Sequence, residues 1–205
     1  TRKAAALPVG AGAAVDARFS PDGKRVAYVR DFNLYVTSLG GAEVALTKGG
    51  TEAKPFGLAE FVAQEELDRR EGYWWSPDSA TLLYQATDQS AVERLTLTDP
   101  ANPGWEPYRP FYPRPGKANA EVRLGLVSAK GGATTWVEWD RARYPYVGHV
   151  TWTEGAPPTV LVLDRLQQRA AVLAVDARSG KTRVLHEERD EAWVNLFPGG
   201  LRWVD

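Results

Sequence analysis

The chain has 205 residues, 43% hydrophobic and 25% charged, with a formal net charge of −1. That is enough apolar material for a globular core, and it leaves no basic field to hold nucleic acid or an anionic membrane. Cysteine is absent, which excludes disulfides, thiolate catalysis and cysteine-ligated zinc, and no apolar run approaches the ~18 residues of a membrane span.

The chain opens TRKAAALPVG, without an initiator Met or a signal-like apolar stretch, and Met is absent throughout. This predicts an internal piece of a longer protein that has lost any targeting segment. Residues 19–29, FSPDGKRVAYV, combine an aromatic, a Ser-Pro-Asp-Gly turn and a strand-like run. Pro suits position i+1 of a type I turn and Gly position i+3, so the stretch reads as a β-hairpin. NLYVTSLGGAEVALT, 33–47, is strand, tight turn and strand.

GLAEFVAQEELDRR, about 57–70, then predicts a helix. At ~100° per residue Leu58, Phe61 and Val62 form one stripe, Glu65 falls within it, and Glu66 stands beside it. Two readings follow. Glu65–Arg69 and Glu66–Arg70 are i,i+4 pairs that would support a solvated helix. Alternatively, two acids turned toward protein repel each other and would trap a cation, for which a primary ammonium with three donors is the natural match. Spacing alone leaves both open.

The aromatic-Ser-Pro-Asp pattern returns at 75–85, WSPDSATLLYQ. Residues 99–116, DPANPGWEPYRPFYPRPG, hold six prolines and are neither helix nor central strand. They read as a long excursion within one unit rather than a linker or a proline-rich ligand. VRLGLVSAKGGATTWV (122–137), VTWTEGAPPTVLVLD (150–164) and AVLAVDARSGKTRVL (171–185) are further hairpins, and LRWVD at 201–205 begins another. Gly180-Lys181-Thr182 imitates the end of a phosphate loop, but Val175 stands where that loop needs glycine, so it reads as a turn. His149 and His186 lack metal-site spacing, and no metal is expected. Trp75, Trp152 and Trp203 hold equivalent repeat positions and are expected in the core. Adjacency excludes Glu65 and Glu66 as a glycosidase pair, whose carboxylates must flank a bond from opposite sides.

Paired hairpins thus recur as units of four strands, about 13–48, 70–137 and 146–187, with another starting near 201 and the helix inserted at 57–70. Four-stranded units at this spacing are the mark of β-propeller blades. The fold expected is all-β: part of a single β-propeller domain with one short inserted helix.

Glu-Glu, a short gap and then YWWSPDSATLLYQATD resembles the N-terminal propeller of the dipeptidyl peptidase IV family, serine exopeptidases of the prolyl oligopeptidase clan. NLYVTSLGGAEVALT, KANAEVRLGLVS (117–128) and 148–185 extend the likeness over about 13–188, and FVAQEELDR followed by GYWWSPD is most similar to bacterial members. The resemblance implies an eight-bladed propeller in which Glu65 and Glu66 hold the free α-ammonium of a peptide substrate. The parent would release N-terminal dipeptides or tripeptides, with Pro or Ala preferred at the penultimate position. It also implies a C-terminal α/β-hydrolase domain of the same parent chain, a homodimer, a periplasmic or secreted location, no cofactor and no nucleic-acid partner. The family's carbonyl-holding arginine would lie upstream of residue 1. No G-x-S-x-G elbow is present, so no catalytic residue is assigned and this stretch alone should not cut peptides. The contrasting expectation is a non-enzymatic propeller serving as a protein-interaction scaffold.

Overall fold

The computed structural model describes residues 10–38, 40–196, 201 and 203. They form three four-stranded antiparallel sheets, each ordered as the chain runs. The first holds β1 (Val15–Phe19), β2 (Arg25–Arg30), β3 (Asn33–Ser38) and β4 (Val44–Ala45). A short helix, α1 (Phe61–Glu65), precedes the second, built of β5 (Tyr73–Trp75), β6 (Thr81–Asp88), β7 (Glu121–Ser128) and β8 (Thr135–Trp136). The third holds β9 (Tyr146–Thr151), β10 (Thr159–Leu163), β11 (Arg169–Val175) and β12 (Thr182–Arg189). The strand expected near 201 falls largely outside the described residues.

The repeated turns close in the same way. Ser20 Oγ donates to Asp22 Oδ1 at 2.6 Å and Ser76 Oγ to Asp78 Oδ1 at 2.5 Å. Ser79, at φ 62°, takes the left-handed position that Gly23 fills in the first copy. Its hydroxyl accepts from Asp22 N at 3.0 Å, so one turn braces the next.

Alternation along the strands builds two inter-sheet cores. Leu82 and Tyr84 of β6 pack with Ala27, Val29, Leu34 and Val36 of the first sheet. Leu83, on the opposite face, joins Leu124, Val147, Val160 and Val162 in the core shared with the third sheet. Leu83 and Leu124 are fully buried, each worth roughly 1.5–3 kcal/mol in transfer terms. Face-to-face packing of four-stranded meanders makes this a section of a β-propeller, the fold class expected. Trp75 and Trp152 pack against these cores, but Trp203 does not follow them. It is 43% exposed, and its Nε1 donates to Thr159 Oγ1 at 2.9 Å.

Gly180-Lys181-Thr182 is a hairpin turn, as its surroundings predict. Gly180 has φ 75°, and a Cβ on it would overlap the Trp136 carbonyl. Its own carbonyl accepts from Glu138 N at 2.8 Å, which ties the second sheet to the third.

The insertion between β4 and β5 departs from the expected helix over 57–70. Only Phe61–Glu65 is helical, with Glu66 as the C-cap. Asp68 then takes a left-handed φ of 49°, and Arg69 N turns back to donate to the Ala63 carbonyl at 2.8 Å. The excursion over residues 59–70 stands on a stem, the antiparallel bridge Leu58–Glu71, beside a second bridge from Phe56 to Ala86 of β6. Gly72 is required at the crossing, because a Cβ there would overlap the backbone of Gly57 and Leu58.

Two surfaces hold α1. Val62 packs with Tyr146, Leu163 and Ala170 of the third sheet, while Phe61 meets the Tyr112 ring edge-on at 4.8 Å. Tyr112 belongs to the proline-rich excursion, which leaves after β6 and returns before β7 as an irregular arm bridged at Arg94–Phe111 and Leu97–Tyr108. Near the arm's tip Leu97, Trp105 and Tyr108 are exposed.

Candidate functional site

α1 begins at Glu60, whose Oε1 accepts from Ala63 N at 3.2 Å and so satisfies one of the free donors of the first turn. The helix runs little more than one turn and ends at Glu65, so Glu65 and Glu66 project from its final residue and its cap. Both are exposed, which corrects the placement of Glu65 inside an inward-facing apolar stripe. The stripe stops at Val62 because the helix stops one residue after Gln64. Both expected surface pairs are missing as well: among the described residues neither Glu65 nor Glu66 makes an ion pair.

The two acids open onto different clefts. Glu65 lines one of about 250 Å³ with Phe32, Glu52, Phe61, Tyr108 and Phe111. Glu66 lines a larger one, about 560 Å³, with His149, Leu161, His186, Glu188 and Trp193. His149, Leu161, Val172 and His186 are register partners in one row across the third sheet, so both histidines of the chain face the Glu66 cleft. Burial holds His149 below the ordinary imidazole value, with Glu71 opposing and Arg69 adding to the shift. Its neutral form is thereby favoured.

Arg69, expected as the surface partner of Glu65, is instead buried, with 5% of its surface exposed. Its Nε donates to the Val147 carbonyl at 3.1 Å, one terminal nitrogen to the Glu71 carbonyl at 2.6 Å, and the other to Gln85 Oε1 at 2.8 Å. Glu60 Oε2 lies 3.6 Å from the guanidinium and accepts from Gln85 Nε2 at 2.6 Å. Gln85 is fully buried on β6 and also donates to Thr87 Oγ1 at 2.9 Å. Burial pulls the Arg69 guanidinium below its usual value while Glu60 and Glu71 pull the other way.

A second set of charges closes the stem. Glu71 pairs with Arg18 at 3.0 Å and accepts from Trp74 Nε1 at 3.1 Å. Arg18 also donates to the Tyr73 carbonyl at 2.7 Å and lies 4.0 Å over its ring. Burial pushes the Tyr73 phenol up to about 12, and its hydroxyl donates to backbone carbonyls of the first sheet. Sequence reasoning singled out Glu65 and Glu66, gave Arg69 only a surface role and did not find Glu60 or Gln85. The available signal was faint: an acid ahead of a helix, and a glutamine inside an apolar strand.

This arrangement presents two adjacent solvated carboxylates on a short helix whose base is fixed by buried polar bonds. Exposed carboxylates accept hydrogen bonds from cations, a primary ammonium with its three donors among them.

The family model for the dipeptidyl peptidase IV N-terminal region matches residues 1–198. A probable dipeptidyl peptidase 4 of Aspergillus fumigatus is 30% identical over 192 residues, covering 87% of this chain and 25% of that protein. The inactive dipeptidyl peptidase 10 of Rattus norvegicus is 25% identical over 189 residues, covering 87% of this chain and 24% of its own length. Among solved structures, Porphyromonas gingivalis dipeptidyl peptidase 4 superposes with a TM-score of 0.82 at 26% identity, over 90% of this chain and 27% of that one. The chain thus spans about a quarter of the length of the curated relatives it matches. It belongs to the dipeptidyl peptidase IV family and is a section of that family's N-terminal propeller region.

Proposed function

We propose that this section is the substrate-recognition part of a dipeptidyl-peptidase-type serine exopeptidase, with Glu65 and Glu66 as the anchor for the substrate's free N-terminal ammonium. One observation carries the reading. Two consecutive carboxylates, exposed and without an ion pair among the described residues, end a helix held at its base by buried polar bonds. A primary ammonium brings a charge and three donors to these carboxylates, and its neutral acetylated counterpart does not. Because the anchor stands on a fixed helix, it sets the distance from the amine to the bond cut by a nucleophile elsewhere in the parent chain. The parent would release dipeptides or tripeptides with Pro or Ala at the penultimate position.

The rest of the reading concerns the whole parent. A C-terminal α/β-hydrolase domain supplies the chemistry, and the protein works in the periplasm or is secreted. It forms a homodimer for which the exposed arm, with Leu97, Trp105 and Tyr108, offers an apolar surface.

The test is an Ala-Pro-anilide assay on the full-length parent, with the substrate amine free or acetylated. Wild type should cut the free-amine substrate roughly 10²-fold faster than the acetylated one, and Glu65→Gln/Glu66→Gln should lower kcat/KM on the free amine by roughly 10²-fold while the protein stays folded. An unchanged rate in the double variant refutes the anchor. The similarity to a protein named inactive supports a second reading, a non-catalytic propeller that binds a protein partner. In that case the parent cuts neither substrate.

A further inference from the structure

Resting on the anchor reading above, we infer that Glu60, Gln85 and Arg69 form a buried positioning clamp that fixes where Glu65 and Glu66 stand. Glu60 and Arg69 come from the excursion and Gln85 from β6, and the three meet beside β9 of the third sheet. Glu60, Gln85 and Arg69 are 7%, 0% and 5% exposed. Gln85 is the hub. Its Nε2 donates to Glu60 Oε2 at 2.6 Å and its Oε1 accepts from Arg69 at 2.8 Å.

Each arm of the clamp grips one end of the excursion. Glu60 precedes the acids and caps α1 through Ala63 N at 3.2 Å. Arg69 follows them and reaches both the stem, at the Glu71 carbonyl 2.6 Å away, and the third sheet, at the Val147 carbonyl 3.1 Å away. Glu65 and Glu66 therefore sit on the short stretch between two fixed points referred to the same glutamine on a central strand.

Stability alone does not call for this cluster. Leu83 occupies the same face of β6 two residues earlier within an apolar core, and buried ion pairs generally gain little over a packed apolar group of equal volume. What a directional network adds is a single geometry. Binding groups that must meet a substrate at one place need that, because a misplacement of about 1 Å can cost up to 10²-fold in rate.

Gln85→Met in the full-length parent tests the clamp. It keeps volume and removes both links of the hub. Steady-state kcat/KM would be measured on Ala-Pro-anilide and on its analogue with propionyl in place of alanyl, which lacks the amine. The clamp predicts a loss of roughly tenfold or more on the amine substrate and a change of less than about twofold on the aminoless one. It also predicts that adding Gln85→Met to Glu65→Gln/Glu66→Gln lowers neither rate further, since the clamp acts only through those acids. Arg69→Lys keeps the charge but loses the fork that reaches three acceptors. It should shift the amine preference in the same direction, and it decides the question should Gln85→Met not fold.

An equal loss on both substrates, or an intact amine preference in the folded variants, overturns the clamp. If the double glutamate variant lowers the preference while the clamp variants keep it, the clamp alone is wrong. If the double variant also keeps it, the anchor reading fails and the clamp falls with it.

Discussion

Arg69→Met in the parent protein should be among the most destabilising single changes near the site. Arg69 gives hydrogen bonds to Val147 O, Glu71 O and Gln85 Oε1 at 3.1, 2.6 and 2.8 Å, and faces the Glu60 carboxylate at 3.6 Å. The two charged side chains are only 4% and 5% exposed, so water cannot replace what is lost. Methionine fills the space of the stem but leaves two buried acceptors, Val147 O and Gln85 Oε1, and a buried carboxylate without its cation. Breaking such a pair costs about 3–5 kcal/mol, against a total stability of roughly 5–15 for a domain. Adding Glu60→Gln removes the stranded charge while keeping an oxygen for Ala63 N, so the double variant should recover at least ~1 kcal/mol of the single loss. Urea unfolding of wild type, both single variants and the double variant, followed by tryptophan fluorescence, gives the cycle. The Arg69→Met loss should be the same at about 0.05 M and about 1 M salt, because a buried pair is little screened. A loss below ~1 kcal/mol, or single effects that simply add, would refute the view that the two charges depend on each other.

Three further outcomes are expected. Glu43 accepts from both terminal nitrogens of Arg30 at 2.6 Å, and these bonds hold its carboxyl down at about 2, below the usual 4.5. The depressed value means that its stabilisation is complete above pH ~4.5 and is lost as pH falls toward about 2. Glu43→Gln should therefore melt lower than wild type at pH 7 and converge with it near pH 2, as read from melting temperature against pH. Gly72→Ala forces the stem apart at Gly57 and should cost roughly 1–3 kcal/mol in denaturant unfolding. Trp105→Ser/Tyr108→Ser, at exposed arm positions, should change stability by less than ~0.5 kcal/mol and, on the proposed homodimer, should weaken association of the parent in sedimentation equilibrium.

What the sequence disclosed was local in origin. The Ser-Pro-Asp turns and the alternation along β6 and β10 act over a few residues, so the hairpins could be read directly and their repetition pointed to blades. The acids themselves stood out through their adjacency. Their surroundings did not. A helical wheel assumes that the helix continues, and this one ends at Glu65 because Asp68 turns left-handed and Arg69 goes to the interior. Nothing near Arg69 in the chain distinguishes an arginine bound to Gln85 and Val147 from one on a solvated face. That choice is made by residues 16 and 78 positions away. The same limit hid Glu60, whose partner on β6 lies 25 positions downstream.

The Leu58–Glu71 bridge has a consequence for how such a site varies. It closes residues 59–70 into a bracket outside the strands, whose remaining ties to the sheets run through Glu60, Val62 and Arg69 on either side of the acids. Residues added or removed beyond the bridge would change the reach of the acids while leaving every strand register in place. On the proposed anchor reading, insertion or transplantation of this one short segment resets the distance from amine to cut bond, with the propeller framework serving unchanged as its mount.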